Sequence, residues 1–165
     1  MDRRKRKSQM AIKAALIQLL NKKEFNAVKV SEICELADIN RGTFYLNYLD
    51  KYDLLEKIIH EQIDLLVLYC KERQHGEYSS LNLTFCYIAE NKTVFRLIFT
   101  ADSQGIFNQY LAQHILSELS ADSTSEIKAI FTASGITGIL GWYLLNESAT
   151  VESLYEIEDI VAKLQ

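Results

Sequence analysis

The stretch Val30–Leu55, VSEICELADINRGTFYLNYLDKYDLL, constrains the fold of this chain more than any other. Ile33, Leu36 and Ala37 give one short helix an apolar face, and Phe44 and Tyr48, at i and i+4, give a second helix its own. Between them, Ala37-Asp38-Ile39-Asn40 has turn chemistry. Asp is one of the few non-glycine residues that tolerate left-handed backbone. Asn40 is a good N-cap for a helix opening at Arg41, and Asp50 for a longer one. In that longer helix Leu54, Leu55, Ile58 and Ile59 recur at helical spacing, and it runs to about Arg73. Two short helices around a tight turn, followed by a third, are the arrangement that lays a helix in the major groove of DNA.

The rest of the chain reads as helical too. Ile12, Ala15, Leu16, Leu19 and Leu20 mark one face of a first helix ending near Asn21. Phe25 and Val28 are apolar plugs in the connection that follows, and the next helix is capped by Lys29 or Ser31, of which Ser31 has the better chemistry. His75-Gly76-Glu77 breaks the long helix, and further helices are expected near 79–90, 92–99, 103–119, 124–146 and 151–164. Ser103, Ser123 and Thr150 are their candidate caps. No strand alternation occurs, and there is no proline anywhere in the 165 residues, which suits a compact helical chain. The expected class is all-α: a helix-turn-helix domain of three helices over 1–52, then a helical ligand-binding and dimerisation domain over 53–165, about nine helices in all.

Charge divides the chain in the same place. Residues 1–60 carry a net +4 and the remainder −8, which together give the −4 of the whole. A basic end on an acidic body suits polyanion binding at that end. The basic arm Arg3–Lys7 would add nonspecific, salt-sensitive affinity.

With Phe44, Tyr48 and Ile39 turned inward beside Ile33 and Ala37, the third helix offers Arg41, Thr43, Tyr45 and Asn47 to DNA. Arg can read guanine bidentately, and the others can reach base edges or phosphates. Lys51, in the first turn of the fourth helix, opposes the helix dipole unless a phosphate is near. Lys29 precedes the second helix and invites the same reading. A solvated polar face is the bland alternative for any one of these residues.

Residues 10–60 resemble the N-terminal domain of the tetracycline-repressor (TetR) family of bacterial regulators. The likeness rests on the first helix ending Leu19-Leu20, on Phe25, Val30, Ile33 and Ala37, and above all on Arg41-Gly42-Thr43-Phe44-Tyr45 followed by Tyr48, Lys51 and Leu54. The short C-terminal half is similar to regulators of low-GC Gram-positive bacteria. The resemblance implies a dimer of nine-helix protomers, a DNA-reading third helix and a variable effector domain. It places Thr43, Tyr45, Asn47 and Lys51 toward DNA. Asp38 stands where the family usually has glycine, Asn40 where serine is common, and Asn47 where histidine or tyrosine is frequent.

Ala129–Leu145 is 17 residues without a charge. It is shorter than the roughly 20 residues of a membrane span and contains Thr132, Ser134 and Thr137, so a buried helix is expected and no membrane partner. Gly135, Gly138 and Gly141 would let another helix approach closely, either across a two-fold dimer axis, as the resemblance implies, or within one protomer. The aromatic stripe Tyr69, Tyr78, Phe85, Tyr87, Phe95, Phe99, Phe107 and Tyr110 suits either plain core or a small-molecule effector pocket among the fourth to eighth helices.

No catalytic or metal-binding set is expected. His60, His75 and His114 lack ligand spacing and read as scattered surface residues, and Cys34, Cys70 and Cys86 read as reduced core residues. There is no phosphate-binding glycine loop and no nucleophile elbow, so neither an enzyme nor a cofactor is indicated. With no secretory signal visible, the cytoplasm is the expected compartment. The expected partners are a near-palindromic double-stranded operator, a second copy of the chain and a small-molecule effector that releases a repressor. The competing account is a co-activator of the same fold that works through a protein partner.

Overall fold

A computed structural model describes residues 3–73, 79–120 and 125–164. Among them are nine α-helices, one 3-10 turn and no strand: α1 (Arg3–Leu20), the turn Phe25–Ala27, α2 (Val30–Leu36), α3 (Arg41–Tyr45), α4 (Lys51–Arg73), α5 (Ser80–Glu90), α6 (Lys92–Ala101), α7 (Ile106–Ser120), α8 (Glu126–Leu145) and α9 (Glu152–Leu164). The expected break at His75-Gly76-Glu77, and Ser123 as a cap, lie outside the described residues.

Local chemistry sets most helix ends. Asp38 holds φ 52°, the left-handed conformation that the turn needs. Asn40 Oδ1 accepts the Thr43 N–H at 2.7 Å, and Asp50 Oδ1 accepts those of Tyr52 and Asp53 at 2.8 and 2.9 Å. Two caps differ from expectation. Lys29, not Ser31, is the N-cap of α2. A lysine has no acceptor, so the cap works in reverse: the Glu32 carboxylate accepts the Lys29 N–H at 2.9 Å. At α7, Asp102 displaces Ser103 and accepts the N–H groups of Gln104 and Phe107 at 3.2 and 2.7 Å. Gly105, at φ +74°, turns the chain immediately before the helix starts.

Helix α4 joins the two halves. It leaves the helix-turn-helix at Lys51, passes the expected boundary at residue 52 unbroken, and packs on α5, α6 and α7. Ile12 and Leu16 of α1, Phe44 of α3, Leu54 and Ile59 of α4 and Leu154 of α9 belong to one buried cluster. The aromatic stripe fills that cluster: Phe85, Phe95 and Phe107 are fully buried. Ring contacts run Tyr69–Tyr87–Phe95–Phe107–Phe99 at 5.0–6.0 Å, while Tyr78 lies outside the described residues.

The histidines depart from a surface reading. His114 is buried, with Nε2 3.5 Å from Thr84 Oγ1, and that hydroxyl is also 3.5 Å from Cys70 Sγ. His60 is half-buried, its ring tilted against that of Tyr110 with the centroids 3.9 Å apart. His75 lies outside the described residues. Cys34 and Cys70 are buried and Cys86 is half-buried. Helix α8 is, among the described residues, the one helix long and apolar enough to cross a membrane by length and composition; 44% of its most apolar window is buried inside the protein.

Candidate nucleic-acid interface

Helix α3 is only five residues long, yet its helical turn continues through Leu46 and Tyr48, whose N–H groups donate to Gly42 and Phe44 oxygens at 3.0 and 2.9 Å. Burying Phe44 and Tyr48 in the core cluster fixes which way the rest of the turn faces. Ile33 is fully buried, and Ala37 and Ile39 pack at the edge of the same cluster.

The outward face carries Arg41, Thr43 and Tyr45. Arg41 is exposed and Tyr45 is 49% exposed. The Tyr45 hydroxyl, one turn on from Arg41, holds the guanidinium pKa above its ordinary value. Thr43 is half-buried, and its hydroxyl lies 3.1 Å from Asn40 Oδ1. Lys29 is exposed at the start of α2. The exposed basic turn Arg3–Lys7 opens α1, and Arg4, Lys5 and Ser8 form one wall of a cleft whose other wall is Thr43, Leu46 and Asn47.

Two residues of the expected reading set are turned to other work. Lys51 Nζ donates to the carbonyl oxygens of Phe25, Asn26 and Val28 at 2.9, 3.0 and 2.9 Å. Those three bonds use all three ammonium protons. The charge also lies 4.8 Å from the Phe25 ring and 5.5 Å from that of Tyr52, and burial pulls its pKa below the ordinary lysine value. Lys51 therefore ties α4 to the turn before α2 instead of facing outward with Arg41. Asn47 donates from Nδ2 to Thr43 O at 2.7 Å, closing the end of α3, and its buried Oδ1 has no protein partner. The Tyr48 hydroxyl is likewise buried without a partner. Burial, with lesser help from Glu61 and Asp53, pushes its pKa up to about 12.

Leu46 is the residue that sequence reasoning missed: it is 81% exposed at the centre of the outward face. The signal was available, since Leu46 sits two positions from both Phe44 and Tyr48, about 200° around the helix from each. Two clefts mark the junction with the body. One, of about 200 Å³, lies between the start of α4 and the α6–α7 turn, with Leu55, Ile59, Asp53 and Asp102 among its lining. The other, of about 410 Å³, lies between Phe25, Asn26 and the end of α6. Among the described residues no group of three or more His, Cys, Asp or Glu could hold a metal ion.

Helix α8 turns Ile127 (78% exposed), Phe131 (67%) and Trp142 (49%) to solvent with Leu145. Gly135 and Gly138 lie on this open face, and a Cβ at either would meet nothing within 4 Å. Gly141 is different: it is buried, and a Cβ there would meet the Phe99 ring at 3.0 Å.

Residues 12–58, which hold this whole helix-turn-helix, match the model of the bacterial regulatory proteins, tetR family. The chain thus carries a tetR-type helix-turn-helix on an all-α scaffold. Over 50 residues it is 36% identical to the uncharacterized HTH-type transcriptional regulator YxbF of Bacillus subtilis (strain 168), a match that spans 30% of this chain and 13% of that protein. Solved structures extend the likeness of fold to nearly the whole chain. A TetR transcriptional regulator from Streptococcus agalactiae 2603V is 23% identical with a TM-score of 0.73, covering 97% of this chain and 96% of its own. The dihydroxyacetone kinase operon activator DhaS is 20% identical with a TM-score of 0.72, and 94% of each chain is covered.

Proposed function

We propose that this protein is a DNA-binding transcriptional regulator that reads a near-palindromic operator as a homodimer. The observation that carries this reading is the outward face of α3, where Arg41 and Tyr45 stand exposed on a turn held from behind by Phe44 and Tyr48. Arg41 reads base edges, Tyr45 and Thr43 reach bases or phosphates, and Lys29 and the α1 arm meet the backbone. The open face of α8, with its row of Ile127, Phe131, Gly138 and Trp142, supports self-association through that helix. Two α3 helices then enter successive major grooves about 34–36 Å apart.

The regulator acts as a repressor released by a small molecule. The junction cleft between α4 and the α6–α7 turn supports this, because a ligand there touches both the body and the helix that leads to α3. Release requires different affinities for two protomer arrangements, not binding alone. A second reading, a co-activator working through a protein partner, is favoured by one observation: Lys51 and the Asn47 amide are engaged internally, which leaves a reduced set of DNA contacts. The activator name of the fold neighbour DhaS is compatible with it.

A titration with upstream genomic fragments at two salt concentrations, against random competitor, tests the proposal. Specific, salt-sensitive binding by the wild type is expected, with Arg41→Ala and Tyr45→Ala each losing about tenfold or more while melting like the wild type. Sequence-blind binding that is equal in all three proteins, with a tight hetero-complex in its place, would make the co-activator reading the leading one.

A further inference from the structure

Leu46 has no hydrogen-bonding group, yet it occupies the middle of the face that the proposed function turns toward bases. It is 81% exposed, and its neighbours on that face are Gly42, Thr43 and Tyr45. Gly42 lies one turn earlier on the same face. Gly42 offers no side chain there, and a Cβ at that position would meet only Asn40 Oδ1, at 3.2 Å, on the cap side. The result is an exposed leucine on a face where the preceding turn offers no side chain. Basic residues border it, since Leu46 shares its cleft with Arg4 and Lys5.

An apolar spot rimmed by cations suits a polyanion that carries an isolated apolar group. In the major groove only one base edge has such a group, the C5-methyl of thymine. A G·C pair under Leu46 would instead have its donors and acceptors desolvated without a partner, which is unfavourable. Resting on the operator-binding reading above, we infer that Leu46 reads a thymine methyl at one fixed position of each operator half-site. Specificity at that position then comes from apolar contact, while Arg41 and Tyr45 supply the hydrogen bonds on either side.

Deoxyuridine tests this, because it keeps the base pairing and removes only the methyl. Duplexes selected by the wild type from a random library are resynthesised with single thymines replaced by deoxyuridine. Wild-type affinity is expected to fall about three- to fivefold at one thymine per half-site, the scale of one buried methyl. Leu46→Ala is expected to bind the thymine and uridine versions equally while melting like the wild type. Selected half-sites without a fixed thymine, or equal wild-type affinity for every single-uridine duplex, would overturn the inference and leave the operator reading standing. A wild type that selects no sequence at all would remove both.

Discussion

A lysine ammonium has three protons and no acceptor, so three carbonyls satisfy it. Lys51 meets that number with Phe25, Asn26 and Val28, residues 23 to 26 positions earlier in the chain. Hydrogen bonds from a charged donor contribute more than neutral ones. Lys51→Met, which keeps an unbranched stem beside Phe25 and Tyr52, is therefore expected to lower stability by about 2–3 kcal/mol. The slope of log affinity against log salt should stay as in the wild type. A lysine on a phosphate would instead lower that slope by about one when removed, so melting curves and a salt series together separate the two roles. Tyr48 makes the opposite case. Its ring fills the core under α3, but its hydroxyl is buried without a partner. Tyr48→Phe removes an unsatisfied group and keeps the shape, so stability should rise by about 1 kcal/mol, read as roughly 2–4 °C in melting temperature. A fall would mean that the hydroxyl has a partner in solution.

At the scale of elements, helical phase decides which residues serve the core and which stay outside. Each step of three residues turns about 300°, so a glycine at every third position drifts around the helix. Gly135 and Gly138 are on the open side of α8, and by Gly141 the stripe has rotated into the protomer against Phe99. The three glycines thus divide, although their regular spacing suggested one surface. Gly138→Leu is expected to break self-association, read by sedimentation, and to leave the protomer's helix content intact. Gly141→Leu should instead overpack the core beside Phe99 and cost about 1–3 kcal/mol in a melting experiment. The reverse pattern would place the partner helix on the other side of α8. Phase also separates residue type from direction in α3: polarity points Arg41, Thr43, Tyr45 and Asn47 outward, whereas the direction opposite Phe44 and Tyr48 belongs to Leu46.

Across the whole molecule, the basic helix-turn-helix end and the helix with the exposed apolar face belong to one continuous core. Trp142, the only tryptophan, is 49% exposed on the open face of α8 and so reports on whatever covers that face. Its fluorescence should be blue-shifted at concentrations where the particle has twice the 19.0 kDa mass of the chain, and should shift to the red on dilution as the mass halves. An emission maximum that ignores the change in mass would place the interface elsewhere. Helix α4, anchored at one end by Lys51 and packed on α5, α6 and α7, links the helix-turn-helix to the rest of the molecule.

The all-α class, the helix-turn-helix and the caps at Asn40 and Asp50 follow from the sequence because they rest on local rules: periodicity, turn chemistry and side chains that reach their own backbone a few residues away. Those interactions are complete within one or two turns, so spacing alone reveals them. What only the tertiary structure decided depends on residues far apart in the chain. Lys51 joins carbonyls across a loop, and His114 is buried against Thr84. Gly141 faces Phe99, whereas Gly138 faces solvent. A side chain's chemistry lists what it could bind, but packing determines which of those groups is within 3 Å, and that is set by how the helices cross.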